Sequence, residues 1–524
     1  MIVRHVVLRN TYFDSVTLMK ISSAVSRLPG VRQAVAVMAT EPNKETVRRA
    51  GLAVKGLDGL SATDLVIAVE AEEEPVAVSA LRRAEEMLGG DAGQRQAAAA
   101  RGPSVPRSLD SARAILPDSN LVLISVPGLY AAAEAAKALR RGFHVMLFSD
   151  NVSIEDELRL KLLAREKGLL LMGPDCGTAI INGVPLGFAN AVRRGTIGIV
   201  GAAGTGIQQV SVLIDRLEAG ISQAVGTGGR DVSARVGGIA MLQGLAALEA
   251  DEGTRVIVLV AKPPAPETAE AVLAAVANCE KPVVVVFLGG NREAIQRAGG
   301  YAADTLEEAA VMAVALDRGE SAFEAVRDAG VELTPVARQE VDRMAPGQKF
   351  LRGLYSGGTL CDEAMLLLRE RVGPVYSNTP LEPGWRLRDS WVSTGDTVVD
   401  LGDDEFTRGR PHPMIDPALR LQRLEREASD PEVAVVLLDV VLGYGAHPDP
   451  GSVLAEGVVR AKELAASQGR YLSVVASVCG TRGDPQDLDR QEAVLRAAGV
   501  VLQPSNARAA RLAGLIASMA RARS

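Results

Sequence analysis

Two glycine corners carry the first chemical signal in this chain. Ile197 to Val210 reads IGIVGAAGTGIQQV, an apolar strand running into Gly201, Ala202, Ala203, Gly204, Thr205 and Gly206 before a helical pattern. Leu354 to Ala364 reads LYSGGTLCDEA, where Ser356, Gly357, Gly358 and Thr359 form a second corner. At such a corner the first helical N–H groups lack intrahelical acceptors and face outward, which suits phosphate or another oxyanion. The first corner fits neither familiar nucleotide loop. A P-loop needs Lys followed by Ser or Thr, where this chain has Gly-Ile-Gln-Gln. A dinucleotide fingerprint needs a third glycine, which the run from Gly204 to Gln209 lacks.

Other residues near predicted strand ends add candidates. Arg230 in GTGGRDVS and Arg482 in CGTRGDP offer guanidinium groups, which match phosphate or carboxylate bidentately; solvated loop positions are the alternative. Cys176 in GPDCGT follows a strand, but no histidine adjoins it to activate a thiolate, so a buried apolar role is expected. His412 and His447 lie in the polar loops RGRPHPMIDP and GYGAHPDPG. Metal binding would require them to converge with Asp403, Asp404 or Asp449, and their spacing gives no such signal, so no metal is expected. His447 follows a strand at a parallel-sheet edge, where ligands collect; it is an acid–base candidate, with a surface loop histidine as the alternative.

These residues need a scaffold, and composition bounds it. The chain of 524 residues suggests about three or four domains, with 47% hydrophobic and 23% charged residues as in globular proteins. A net charge of −7 and only 3% aromatics argue against a nucleic-acid or anionic-membrane binder. Four scattered cysteines without C-x-x-C spacing fit a reducing cytoplasm. No run approaches 18 apolar residues, and Arg4, His5 and Arg9 break the N-terminal apolar stretch, so neither a membrane span nor a signal peptide is expected.

Periodicity divides the chain. Residues 1–88 read as a small α+β module of ferredoxin-like type, with strands at 5–9, 31–38 and 65–69. Residues 89–108, rich in Gly, Ala and Pro, read as a linker. Residues 109–195 and 196–330 show near-continuous apolar strands at βαβ spacing, as in parallel sheets covered on both faces. Residues 331–348 read as a second linker. Residues 349–524 repeat the glycine corner and parallel-strand rhythm, suggesting two related domains.

LMGPDCGTAI, TIGIVGAAGTG and AVGTGGRDVS, in that order, resemble the α chain of succinyl-CoA synthetase. The final block, with YSGGTLCDEA and LLDVVLGYGAHPD, resembles the C-terminal domain of that enzyme's β chain. Fusion in one chain, with TYFDSVTLM, DDEFTRGRPHPMID and SVCGTRGDPQD, resembles the FdrA-like branch of the superfamily. The resemblance implies a Rossmann-like CoA-binding-type domain at 109–195 and two flavodoxin-like ligase domains. It also places Gly173, Pro174, Asp175, Cys176, Gly228 and Gly229 in a substrate or CoA-like loop, and sets the two corners nose to nose around one phosphate. Asp175 stands where the family has Asn.

One departure redirects the chemistry. The family's phosphohistidine lies in a Gly-His-Ala-Gly context after the last strand of the first ligase block. Here the region from Phe287 to Ala310 holds no histidine; the chain's four are His5, His144, His412 and His447. Nor does an ATP-grasp domain precede the final block. The resemblance therefore implies acyl-phosphate chemistry without a phosphoenzyme: a carbamoyltransferase subunit converting oxalurate and phosphate to or from oxamate and carbamoyl phosphate in allantoin catabolism. In that reading Arg230, Arg482 and His447 assist, phosphate or carbamoyl phosphate is the ligand, and companion subunits complete a cytoplasmic oligomer. Two alternatives stay open: an acyl-CoA synthetase subunit that keeps CoA and relies on another chain for nucleotide chemistry, and a non-catalytic anion-binding scaffold.

Overall fold

The computed structural model describes all residues except 1, 14, 53, 100–105, 329–331, 408–409 and 524. It contains four sheets. The first joins β1 (Ile2–Leu8), β2 (Val31–Met38) and β3 (Leu65–Ala71) in the antiparallel order β1-β3-β2. Alternation in β2 sends Ala34, Ala36 and Met38 into one apolar cluster, while Val35 and Val37 pack against a second. This three-stranded α+β module is a reduced relative of the ferredoxin-like arrangement expected from the sequence.

The second sheet is parallel, in the order β4 (Leu121–Ile124), β5 (His144–Leu147), β6 (Leu171–Met172). The third has seven strands: β7 (Thr178–Ile181), β8 (Val184–Gly187), β9 (Arg194–Gly201), β10 (Ile221–Gly226), β11 (Val256–Ala261), β12 (Val283–Phe287) and β13 (Tyr301–Ala302). Their order is β13-β12-β11-β9-β10-β7-β8. The β7–β8 hairpin, from within 109–195, thus completes a sheet built mainly from the block at 196–330.

The fourth sheet is wholly parallel: β14 (Phe350–Tyr355), β15 (Val375–Tyr376), β16 (Asp396–Asp400), β17 (Val433–Val441), β18 (Ser473–Cys479) and β19 (Val501–Gln503). Its order is β15-β16-β14-β17-β18-β19. Strands such as Val256–Ala261 are buried along their whole length, as a parallel sheet with helices on both faces requires. One apolar cluster runs from Ile197 and Val258 through Leu360 and Val435 to Ile516, so the two large domains share a core.

Among the parallel strands of both large sheets the chain starts near the middle and then builds outward in both directions, the β7–β8 hairpin closing one edge of the third. The reversals fall at β9 and β14, and the crevice beyond the carboxyl end of such a strand is where doubly wound folds bind ligands. Both glycine corners lie there.

Two expected linkers differ. Residues 89–99 continue the helix Glu74–Ala99, because the alanine-rich run favours helix despite its glycines; residues 100–105 lie outside the described residues. Within 331–348, Thr334–Val341 is a helix with Pro335 in its first turn, where proline's missing N–H costs nothing.

Candidate functional site

The first corner leads from β9 into the helix Gly204–Arg216, the second from β14 into the helix Gly358–Val372. The two helix N-termini meet. A Cβ on Gly206 would lie 3.0 Å from Thr359 Cγ2, and one on Gly357 would lie 2.9 Å from Thr205 Cγ2. Glycine at these points lets the backbones approach this closely. Each helix brings three leading N–H groups without intrahelical acceptors, together with the positive end of its dipole.

The corners are not equivalent. Asp439, fully buried in β17, accepts from Ser356 N at 2.9 Å, Ser356 Oγ at 3.0 Å and Gly357 N at 2.8 Å. Arg420 donates to its Oδ1 at 2.7 Å and to Leu354 O at 3.0 Å. The second corner therefore already holds an oxyanion supplied by the chain, neutralised by a buried guanidinium. Ser356 and Gly357, expected to bind phosphate, spend their donors on Asp439. The helical N–H groups of Gly358, Thr359 and Leu360 remain.

Ionisable side chains ring the junction. A Cβ on Gly358 would lie 2.7 Å from Asp400 Oδ2 and 3.7 Å from Lys262 Nζ. Lys262, just past the end of β11, pairs with Asp362 at 2.6 Å. Burial pushes the Asp400 carboxyl up to about 7; Lys262 opposes that shift and Asp362 reinforces it. Lys262 itself is held above its ordinary value, Asp362 and Asp400 outweighing its desolvation. His412 Nδ1 accepts from Met414 N at 3.2 Å, which leaves the ring proton to Nε2. That Nε2 would lie 2.7 Å from a Cβ on Gly402, a point 3.2 Å from Asp400 Oδ1. Burial lowers His412 to about 4, so it is neutral near pH 7.

The Gly173–Cys176 loop joins the first corner. A Cβ on Gly228 would strike Pro174 O at 2.2 Å, and one on Gly229 would sit 3.8 Å from Ala202 O. Asp175 presents an exposed side chain yet is ringed by protein. That enclosure, with Asp150 and Asp404 nearby, pushes its carboxyl up to about 7, against the pull of Arg230. Cys176 is 1% exposed, and burial drives its thiol up to about 12, which leaves it inert.

The three residues expected to assist catalysis are engaged elsewhere. Arg230 donates to Val152 O at 2.8 Å and pairs with Glu157 at 2.9 Å. That contact with Glu157 Oε2 is an ion pair without hydrogen-bond alignment. Arg482 is 82% exposed and pairs with Asp489 at 3.1 Å, its side chain turned outward from a loop whose Thr481 and Asp484 are buried against Asn190 and Ala191. His447 accepts at Nδ1 from Asp449 N at 3.0 Å, and its Nε2 lies 3.4 Å from Arg27 of the N-terminal module. Burial and Arg27 lower its pKa. It shares with Ser356 and Arg420 a cavity of about 10 Å³, space for one water at most.

Lys161 was missed from sequence. Fully buried, it donates to Glu157 at 2.8 Å, Asp231 at 2.8 Å and Thr227 O at 2.9 Å, tethering the Thr227–Asp231 turn. Asp231 in turn caps the helix Ile239–Ala250 through Ala240 N and Met241 N.

A CoA-ligase model matches residues 354–516, and a CoA binding domain model matches 192–289, which begins at the end of the block at 109–195 and runs mainly through that at 196–330. A third model, AllF, heavy metal-associated domain, matches residues 1–103. That stretch contains no cysteine, and among the described residues no three His, Cys, Asp or Glu side chains group as metal ligands, so the residues present do not fit a soft metal. "Uncharacterized protein YahF" of Escherichia coli is 46% identical over 512 residues, covering 97% of each chain. Succinate–CoA ligase [ADP-forming] subunit alpha 2 of Archaeoglobus fulgidus is 31% identical over 147 residues, 27% of this chain and 50% of that one. The structure of PH0766 from Pyrococcus horikoshii is 14% identical with a TM-score of 0.33, covering 80% of this chain and 88% of that one. With a CoA-ligase domain, a CoA binding domain and a YahF relative along nearly its whole length, this chain belongs with YahF in the succinyl-CoA synthetase-like superfamily.

Proposed function

We propose that the chain is a carbamoyltransferase subunit acting through carbamoyl phosphate, interconverting oxalurate plus phosphate with oxamate plus carbamoyl phosphate. The observation that carries this reading is the meeting of two helix N-termini at the switch points of two sheets, in a chain with no histidine between Phe287 and Ala310. In the forward direction a phosphate oxygen attacks the carbamoyl carbon of oxalurate. The bond from that carbon to the amide nitrogen breaks, and the nitrogen leaves as oxamate after taking a proton. The chain's part is to hold the phosphate on backbone donors and to stabilise charge at the carbonyl oxygen. Because the acyl phosphate is itself a product, no phosphoenzyme is needed.

The CoA binding domain match favours a second reading, an acyl-CoA synthetase subunit. The loop at Asp175 fits that group poorly: its neighbours include Asp150, Asp404 and Glu157, and carboxylates repel the phosphates of CoA. Thermal denaturation of the full chain separates the readings. Protection by phosphate or carbamoyl phosphate supports the first, protection by CoA alone the second, and protection by none leaves a scaffold. The decisive assay mixes the chain and its companion subunits with carbamoyl phosphate and oxamate. Release of phosphate is expected, and its absence overturns the proposal.

A further inference from the structure

The junction between the corners holds one lysine whose charge is only partly used. Lys262 follows β11, in the first large domain, yet its Nζ lies 3.7 Å from where a Cβ on Gly358 would sit, in the second. Its one ion pair is with Asp362, in the first turns of the second corner helix, at 2.6 Å. An ammonium has three N–H donors; one serves Asp362, and Asp400 acts on the charge across the junction, which leaves donors to turn towards a ligand. Its side chain is 42% exposed, whereas Asp362 is 9% exposed. The other cations considered for the site are committed: Arg420 to Asp439 and Leu354 O, Arg230 to Glu157 and Val152 O, Arg482 to Asp489.

We infer that Lys262 is the cation of this site, turning from Asp362 to a phosphoryl oxygen held at the two helix N-termini. The inference rests on the phosphate-clamp reading above and adds the group that balances the ligand's charge. Backbone dipoles alone hold a phosphate loosely, and Ser356 and Gly357 already serve Asp439. Lys262 stands beside the donors that remain. At rest Asp362 keeps the ammonium charged and in place. When a phosphate draws it away, Asp362 is left in surroundings that raise its pKa, where taking up a proton is easy. Phosphate and Asp362 therefore compete for one ammonium.

That competition predicts opposite effects of removing the two partners. Calorimetric titration of the full chain with inorganic phosphate, and separately with oxamate, reads it. Lys262→Met should weaken phosphate binding about tenfold to a hundredfold, as loss of a charge-assisted hydrogen bond does. Lys262→Arg should recover most of the loss. Asp362→Asn should strengthen phosphate binding several-fold, because it frees the ammonium. A merely structural ion pair would instead make both single losses weaken binding alike, and that result overturns the inference. So does a Lys262→Met chain that binds phosphate as the parent does, or that loses only oxamate. A parent chain that binds no phosphate removes the clamp itself; a parent that binds beside an unaffected Lys262→Met removes only the role of Lys262.

Discussion

Sulfate isolates the protein's own protons at the clamp, because sulfate stays a dianion across the working pH range while phosphate does not. Asp400 sits at the mouth of the second corner helix with its carboxyl near 7. An oxyanion accepting from the Gly358 N–H would lie on the order of 4–6 Å from Asp400. At an effective dielectric of about 20, each pair of like charges at that separation costs about 3–4 kcal/mol, enough to exclude the ligand from the ionised form by more than a hundredfold. Binding then requires a protonated Asp400. Sulfate affinity should be level below about pH 6 and fall about tenfold per pH unit above 7. Asp400→Asn should bind sulfate at least as well as the parent does at pH 6 and should lose most of the slope, keeping only what proton uptake at Asp362 contributes. The assay is calorimetry between pH 5.5 and 9 at constant ionic strength, since free salt screens the same interaction. A level profile for the parent, or an unchanged slope in Asp400→Asn, would refute the placement of the ligand beside Asp400.

Two substitutions test the scaffold. Lys161→Met should cost about 3–5 kcal/mol in denaturant unfolding of the first large domain, because it strands the buried carboxylates of Glu157 and Asp231. Gly206→Val should lower stability by about 1–3 kcal/mol, since its Cβ would meet Val260 Cγ1 at 2.9 Å and Thr359 Cγ2 at 3.0 Å; Gly204→Ala, whose Cβ meets only Thr178 Oγ1 at 3.4 Å, should leave the melting temperature near that of the parent.

What the sequence made legible follows from physical range. Val256–Ala261 and Val283–Phe287 announce themselves because a strand buried on both faces must be apolar along its length. The glycine corners are legible because the geometry of a turn is local. Lys262 was not, for in AKPPAPETAE it looks like a solvated loop residue, and what gives it a role lies a hundred residues away in Asp362 and Asp400. Asp439 left a signal that went unused. The strand expected at Val433–Leu438 runs on to Val441, and a carboxylate inside a nine-residue buried strand demands partners. Those partners are Arg420 and the donors of the second corner.

The charge balance of the clamp bears on turnover. Asp439 and Arg420 cancel, so the second corner contributes helix donors and no net charge. Lys262, Asp362 and Asp400 sum to −1 when Asp400 is ionised and to zero when it holds a proton. At neutral pH, while Asp362 keeps its charge, the junction thus alternates between repelling an oxyanion and tolerating one, and a net positive charge arises only when Asp362 also takes up a proton. On the proposed carbamoyl-transfer reading, a site that accepts phosphate and releases carbamoyl phosphate needs an attraction weak enough to reverse. Under that proposal, proton uptake at Asp400 on binding and its loss on release would supply the reversibility from within the chain and tie the pH slope of sulfate binding to turnover. If Asp400→Asn binds phosphate tightly and levels the pH profile, its turnover with companion subunits should become limited by product release, visible as a burst of carbamoyl phosphate followed by a slow steady state; a steady state as fast as the parent's would separate the carboxyl from the cycle.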